Sequence, residues 1–246
     1  MEIALSLKQV NKIFGERGER SLIVLKNINL EIRAGEIFVI VGPSGSGKST
    51  FLRVINGLET SYTGEVVWNK EYRHSDIAFV FQEFALLPWL TVYQNIEVGL
   101  LNRSLSEKRR SEIVSRELHQ FGLEKFAEAY PKELSGGMKQ RVGLARALAI
   151  DPKILLMDEP FSELDSFTAE ELRKELLRIW QERKITIIMV THIIEEALEL
   201  GDRVAVFTPR PATIEKIVDN PLPRPRDKRS KEFYEVYDTL YKLIRP

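Results

Sequence analysis

The chain has 246 residues, of which 43% are hydrophobic and 29% charged, with 36 basic and 36 acidic side chains. This composition suits one globular unit with an ample core, and the balanced charge speaks against nucleic acid as a partner. The absence of cysteine excludes disulfides and thiolate metal sites, and the sequence predicts neither a membrane span nor a signal peptide, so we expect a chain that stays in the cytoplasm.

The first part of the chain is predicted to be rich in strands. Apolar and polar side chains alternate over residues 3–10 and again over residues 22–32, as in half-buried strands. A charged loop containing glycine, residues 15–20, separates the two. We therefore expect an antiparallel β subdomain at the N-terminus.

The segment 42–50 follows an apolar run typical of a buried strand and precedes a helical pattern that a glycine ends. Strand, glycine-rich loop and helix form the context in which G-x-x-x-x-G-K-[ST] binds phosphate. Its glycines let backbone N–H groups turn toward phosphate oxygens, Lys48 supplies charge, and the Ser49 hydroxyl is a Mg²⁺ ligand. The predicted nucleotide-binding residues here are Gly42, Pro43, Ser44, Gly45, Ser46, Gly47, Lys48, Ser49 and Thr50. The alternative is a Gly/Ser turn that contains a lysine by chance.

Helical signals replace strand signals in the middle of the chain. Residues 61–65 are predicted to form a turn, and strands are predicted over 66–68 and 77–81. From about residue 91 to 150 we expect an inserted helical subdomain, in which Ser106 caps a helix that stops at Gly122.

Parallel-sheet signals then resume. Apolar runs without alternation predict strands covered on both faces, and a proline-rich connector followed by an amphipathic helix is predicted for 221–246, after a main domain of residues 1–220. The remaining predicted elements are strands at 154–157, 185–190, 203–207 and 213–218 and helices at 166–183 and 193–200.

Two carboxylates, Asp158 and Glu159, end the strand predicted at 154–157. Ligands of open α/β sheets bind at the carboxyl ends of the strands. Beside a phosphate loop, Asp158 is the natural Mg²⁺ partner, and Glu159 is placed to act as the general base on the attacking water. The alternative is a solvated acidic turn.

A second anion-binding helix terminus is predicted at residues 134–141, Leu-Ser-Gly-Gly-Met-Lys-Gln-Arg. Ser135 can cap the following helix, and Gly136 and Gly137 allow close backbone approach to an anion. The alternative is an ordinary capped helix.

The segment 134–141 resembles the L-S-G-G-x-x-Q-R signature of ABC ATPases, and the order of the other motifs matches that family from about residue 5 to 207. The resemblance implies an α/β P-loop NTPase fold with a mostly parallel core sheet, an N-terminal antiparallel β subdomain and an inserted α-helical subdomain. It also implies hydrolysis of ATP with Mg²⁺, and a head-to-tail dimer in which the signature of one copy covers the ATP of the other.

The resemblance assigns roles to isolated residues as well. Phe14 matches the aromatic side chain that stacks on adenine, with a core phenylalanine as the alternative. Gln82 matches the glutamine that touches Mg²⁺ and the attacking water, and His192 matches the switch histidine at the γ-phosphate. Asp165 matches the acidic loop that communicates across the dimer, where Glu163 replaces the small residue of many members.

The stretch 81–92, Phe-Gln-Glu-Phe-Ala-Leu-Leu-Pro-Trp-Leu-Thr-Val, is similar to importer ATPases for nitrate, sulfonates and taurine, and importers of pyrimidine precursors share much of it. Its apolar surface suits a helix of a multi-span permease docking near Gln82–Trp89; the alternative is that Trp89 packs between the two lobes. The resemblance further implies an extracytoplasmic solute-binding protein and a place on the cytoplasmic side of the membrane. The competing hypothesis is a soluble ABC ATPase of DNA repair or translation.

Overall fold

The computed structural model describes residues 2–15 and 21–244. Within these ranges the chain forms nine strands and seven α-helices. The strands are β1 Ile3–Phe14, β2 Leu22–Arg33, β3 Ile37–Val41, β4 Thr63–Trp68, β5 Ile77–Val80, β6 Ile154–Asp158, β7 Thr186–Thr191, β8 Arg203–Phe207 and β9 Ile214–Asp219. The helices are α1 Lys48–Ile55, α2 Val92–Glu97, α3 Glu107–Gln120, α4 Gly136–Ala149, α5 Ser166–Arg183, α6 Ile194–Leu200 and α7 Lys231–Ile244.

The chain divides into two compact units. The first comprises Met1–His74 with Lys184–Pro246, and the second comprises Ser75–Arg183. The second unit contains α2, α3 and α4, which occupy the segment predicted to be helical, together with β5, β6 and α5.

The antiparallel sheet predicted for the N-terminal part is present in the first unit. Its strand order is β2-β1-β4, and both pairings are antiparallel. Residues 16–20 of the predicted charged loop lie outside the described residues. The turn predicted for 61–65 is wrong at its end, because β4 already begins at Thr63. Gly64 has φ +93°, and a Cβ there would lie 2.3 Å from the carbonyl oxygen of Gln9, so this glycine serves strand pairing beside a bulge.

The parallel strands of the first unit place two predicted site segments at one edge. β3 pairs in parallel with β7 and with β8, and β9 adds an antiparallel strand next to β8. Every residue of β3 and β7 is buried, which explains their continuous apolar sequences. The carboxyl end of β3 leads into segment 42–50, and the carboxyl end of β7 leads into His192.

α7 closes the first unit with the amphipathic face that the sequence predicts. Phe233 and Leu240 are buried on this helix. In the interior of the same unit, the ring of Phe51 on α1 meets the ring of Phe207 on β8 edge to face, with centroids 5.7 Å apart. This contact packs α1 onto the sheet directly behind the glycine-rich loop.

The second unit pairs β5 with β6 in parallel and carries helices whose caps follow the predictions. The Ser106 hydroxyl accepts a hydrogen bond from the Arg109 N–H at the start of α3. After α3, Gly122 has φ +65°, as expected for a glycine that ends a helix.

Candidate functional site

The glycine-rich loop after β3 depends on residues without a Cβ. Gly45 and Gly47 have φ of +73° and +110°, which L side chains rarely adopt. A Cβ on Gly42 would lie 2.9 Å from the carbonyl oxygen of Phe207, and one on Gly47 would lie 2.7 Å from Cγ1 of Val24. The loop therefore holds its curved path only with glycine at these positions.

Lys48 lies inside this loop and at the first position of α1. Its side chain is buried, and Nζ donates hydrogen bonds to the carbonyl oxygens of Gly42 at 3.0 Å and Pro43 at 3.1 Å. The Oγ of Ser46 is also buried and has no hydrogen-bond partner among the described residues. A buried cation, an unsatisfied hydroxyl and the positive end of α1 at one loop fit the phosphates of a nucleotide.

Arg210 supports the same loop, and sequence reasoning missed it. Its Nη2 and Nε donate hydrogen bonds to the carbonyl oxygen of Gly45 at 2.6 Å and 3.1 Å. Arg210 comes 165 positions after Gly45, and no local pattern marks it. Its guanidinium adds a second positive charge beside the loop.

His192 and the start of the glycine-rich loop lie near each other. Both border one cavity of about 590 Å³ in the first unit. His192 itself is exposed at the end of β7. The cavity is lined by Gly42, Pro43, Ser44, His192, Ile193, Ile194, Glu195, Tyr237, Tyr241 and Ile244.

In the second unit, the carboxyl ends of β5 and β6 bring Gln82 and the two predicted carboxylates to one edge. Val80 pairs with Met157, so Gln82, two residues after β5, and Asp158, the last residue of β6, lie at the ends of neighbouring strands. Asp158 is 4% exposed, and Gln82 is half-buried. Glu159 has φ +43°, a strained backbone for a residue with a Cβ, and such strain is concentrated at functional sites.

The signature segment forms the capped helix start that the sequence predicts. The Ser135 hydroxyl accepts a hydrogen bond from the Met138 N–H at 3.3 Å, and α4 begins at Gly136. A Cβ on Gly137 would lie 2.5 Å from Cγ2 of Thr168 on α5. The start of α4 therefore packs closely against α5.

Asp165 precedes α5 and acts as its cap. Oδ1 accepts hydrogen bonds from the backbone N–H groups of Thr168 at 3.0 Å and Phe167 at 3.1 Å. The bond from the Thr168 N–H, with further hydrogen bonds, lowers the pKa of Asp165 from its usual 3.8. The acidic loop is thereby fixed to the start of α5.

The aromatic side chains of Phe14 and Trp89 are exposed, so both are accessible to a ligand or a partner. Phe14 is 40% exposed, with Lys12 Nζ 4.3 Å from its ring centroid, so the alternative of a core phenylalanine is wrong. Trp89 is 69% exposed. The first unit thus presents Phe14, and the second presents Trp89, to solvent.

Every helix within residues 2–15 and 21–244 is too short or too polar to cross a bilayer. In the same described ranges, no three His, Cys, Asp or Glu side chains are grouped so that they could hold a metal ion. Mg²⁺ is commonly bound by one or two carboxylates together with substrate phosphates and waters.

A phosphate loop between a buried strand and a helix, together with a capped Ser-Gly-Gly helix terminus, defines an ATP-binding P-loop protein with an ATP-binding cassette signature. The family described as "ABC transporter" matches residues 25–162. The chain belongs to the ABC transporter family.

Curated relatives extend this likeness over nearly the whole chain. The nitrate import ATP-binding protein of Synechocystis sp. is 44% identical over 98% of this chain and 95% of its own. An aliphatic sulfonates import ATP-binding protein of Bacillus cereus is 42% identical over 95% and 93%. A bicarbonate transport ATP-binding protein of Synechococcus elongatus is 43% identical over 95% and 86%.

A solved structure agrees with the fold. A dimeric ATP-binding cassette in a post-hydrolysis state, bound to ADP and Pi, is 36% identical, with a TM-score of 0.77 over 91% of this chain and 99% of its own. Together these likenesses confirm the predicted ABC ATPase fold and ATPase class. They support the prediction of a membrane-importer ATPase and not that of a soluble ATPase in DNA repair or translation.

Proposed function

We propose that this chain is the ATP-hydrolysing subunit that energises a membrane importer of a small solute. The observation that carries this proposal is the combination, in one chain, of a glycine-dependent phosphate loop around Lys48 and a capped signature helix. One nucleotide needs only one phosphate loop, so a second anion-binding helix terminus implies that two copies complete each other's sites. The import relatives supply the transport context.

Within this proposal the phosphate-loop residues 42–50 bind the phosphates of ATP. Lys48 neutralises charge on the β- and γ-phosphates, and Phe14 stacks on adenine. Ser135, Gly136 and Gly137 contact the ATP held by the second copy. The exposure of Phe14 and of Ser135 at the start of α4 is consistent with both roles.

The proposed hydrolytic residues are Glu159, Gln82 and His192, with Lys48. Glu159 accepts the proton of the attacking water, Gln82 orients that water, and His192 contacts the γ-phosphate. Ser49, Gln82 and Asp158 are the proposed ligands of Mg²⁺, which supplies positive charge to the phosphates when bound.

A permease is the proposed partner of the surface at Gln82–Trp89. Trp89 is largely exposed on a segment that also presents Leu87 and Pro88, and aromatic residues are enriched at protein interfaces. ATP-driven closure of a head-to-tail dimer would move this surface and thereby the permease. We place the subunit peripherally on the cytoplasmic side of the membrane, with a solute-binding protein acting through the permease from outside.

The proposed cargo is nitrate, a sulfonate, taurine or a similar small solute. The relatives described above are named for nitrate, sulfonates and bicarbonate, which are small anions. The cargo passes through the permease and the solute-binding protein, so the cargo assignment depends on these partners.

The first test combines partner recovery with one active-site variant. A tagged chain is purified from detergent-solubilised native membranes, and its partners are identified by mass spectrometry; we expect a multi-span permease. Glu159→Gln should bind ATP normally but lose roughly 10²- to 10⁴-fold in kcat, the range typical of a general base. Recovery of only ribosomal or DNA-repair proteins would overturn the transporter role, and normal hydrolysis by Glu159→Gln would overturn the assignment of the base.

A further inference from the structure

The C-terminal end of α6 is held by side chains of the connector that follows β9. Helices leave their last carbonyl groups without partners inside the helix, and cations there also interact favourably with the helix dipole. Arg224 donates a hydrogen bond to the carbonyl oxygen of Leu200. Arg226 Nη1 donates to three further carbonyl oxygens at 2.7, 3.1 and 2.8 Å, those of Leu198, Glu199 and Gly201.

Other connector residues add to these contacts. The Asn220 side-chain amide donates to the carbonyl oxygens of Leu198 at 2.9 Å and Gly201 at 3.0 Å. Lys228 Nζ lies 2.6 Å from Glu199 Oε2. We call residues 220–228 the arginine clamp.

Arg226 is a buried cation, and its position has an energetic cost. Its side chain is 1% exposed. Burial, and the positive charge of Arg224, lower the pKa of Arg226 to about 10, so it stays charged at neutral pH. Its Nη1 is directed at the end of α6, and its Nε donates a hydrogen bond to the carbonyl oxygen of Leu222 in the connector at 3.2 Å.

The clamp is also tied to the strand that leads into the phosphate loop. Asp202 Oδ1 lies 2.5 Å from Arg224 Nη1 and 3.9 Å from Arg226 Nη2. Its other oxygen, Oδ2, accepts a hydrogen bond from the Ile37 N–H at the start of β3, at 2.9 Å. Through Asp202, the clamp therefore connects the C-terminal end of α6 to the first residue of β3.

The opposite end of α6 carries His192. The Thr191 hydroxyl donates to Glu196 Oε2 at 2.7 Å and accepts from the Ile193 N–H at 3.1 Å, which joins the His192 segment to the first turn of the helix. α6 has only seven residues, about two turns, so its two ends are only about 10 Å apart. The clamp and His192 therefore lie at opposite ends of one short helix.

The segment after the clamp reaches His192 as well. Tyr237 and Tyr241 of α7 have stacked rings with centroids 6.2 Å apart. Both line the cavity that His192 shares with the start of the phosphate loop. The chain after residue 220 thus borders both ends of the short helix.

We propose that the arginine clamp aligns α6 and that Arg226 is a positioning residue for ATP hydrolysis, acting through His192. This inference rests on the proposed role of His192 at the γ-phosphate. The C-terminal segment then contributes to ATP hydrolysis. If the hydrogen bonds of the arginine clamp to α6 are lost, we expect the phosphate loop to keep its conformation while His192 is no longer aligned.

The test is a double-mutant cycle on the full-length chain, using Arg226→Gln and His192→Ala. Arg226→Gln should lower kcat roughly 10- to 100-fold, as expected for a misplaced reacting group, while the Kd for a fluorescent ATP analogue changes less than about twofold. Adding Arg226→Gln to His192→Ala should cause no further loss of kcat, because both changes remove the same interaction.

Arg110→Gln is the matched control. Arg110 also binds a backbone carbonyl, that of Leu105 at 3.1 Å, and a carboxylate, that of Glu97 at 3.1 Å. Arg110→Gln should therefore lower the free energy of unfolding without lowering kcat. If Arg226→Gln does not fold, Arg226→Lys replaces it in the cycle, since lysine keeps the charge but loses the planar fork of donors.

The outcomes distinguish a failure of the positioning role of Arg226 from a failure of the proposed function. A kcat of the Arg226 variant equal to that of Arg110→Gln, or losses that multiply in the double variant, would overturn the positioning role. An inactive wild-type chain, or a His192→Ala variant with full kcat, would instead overturn the proposed function on which the positioning role depends.

Discussion

Gly47→Ala is the sharpest test of the phosphate-loop geometry. Gly47 directly precedes α1 with φ +110°. A Cβ there would lie 2.7 Å from Cγ1 of Val24 and 3.3 Å from Cδ2 of Leu25. Both neighbours are buried on β2, at 4% and 0% exposure, so they cannot move aside freely. The variant must shift either the loop or the strand.

Two contributions set the expected magnitude. Holding an L side chain in this backbone region costs about 1–3 kcal/mol, and overpacking a buried contact costs a similar amount. A combined loss of about 3 kcal/mol in the free energy of unfolding corresponds to a Tm lower by roughly 6–12 °C in a chain of this size. If the loop shifts, loss of even one charge-assisted hydrogen bond to phosphate weakens ATP binding at least about tenfold.

Gly122→Ala is the control for the added Cβ. Gly122 also has a positive φ, +65°, but a Cβ there would meet no atom within 4 Å. It should lose only about 1 kcal/mol for the left-handed backbone and keep ATP binding. Thermal melts with and without ATP, and titration with a fluorescent ATP analogue, measure both effects. Equal Tm losses in the two variants, with ATP binding retained by Gly47→Ala, would refute the reasoning.

Three further predictions concern other parts of the chain. Arg183→Met should cost roughly 3 kcal/mol in urea unfolding, because Glu117 is 0% exposed and loses a partner at 3.0 Å; a loss below about 1 kcal/mol would show that the 2.7 Å contact with Arg116 suffices. Asp165→Ala should lower Tm at pH 7, and since the pKa of Asp165 is lowered in the fold, the difference from wild type should shrink as the pH falls below 3.8; a difference independent of pH would contradict this. Trp89→Ala should leave Tm unchanged, since its side chain is 69% exposed, but should reduce recovery of the permease from membranes; undiminished recovery would remove Trp89 from the interface.

The sequence predicted the elements whose signals are local. The long helix at 166–183 has the predicted bounds, and the helix after Ser106 has its predicted cap. The fully apolar runs at 37–41 and 154–157 form buried parallel strands. In each case the neighbouring residues alone supply the apolar period, the cap or the stop.

The candidate site was predictable to the extent that it consists of contiguous motifs. The phosphate loop, the signature and the acidic strand end each combine a strand or helix terminus with the residues beside it. Their roles in catalysis remain predictions. The structure adds the exposure of Phe14 and Trp89 and the strained backbone of Glu159, which no periodicity in the sequence indicates.

Tertiary structure alone decided how these motifs are supported. The Arg210 guanidinium binds the carbonyl oxygen of Gly45, 165 positions earlier. The proline-rich connector predicted from the sequence places Arg226 on the end of α6. The physical reason is the same in both cases. A motif keeps its ligand-binding groups within a few residues of each other, whereas a backbone carbonyl accepts a hydrogen bond from any donor that folding brings near. The residues around the accepting carbonyl therefore do not indicate which distant side chain is the donor.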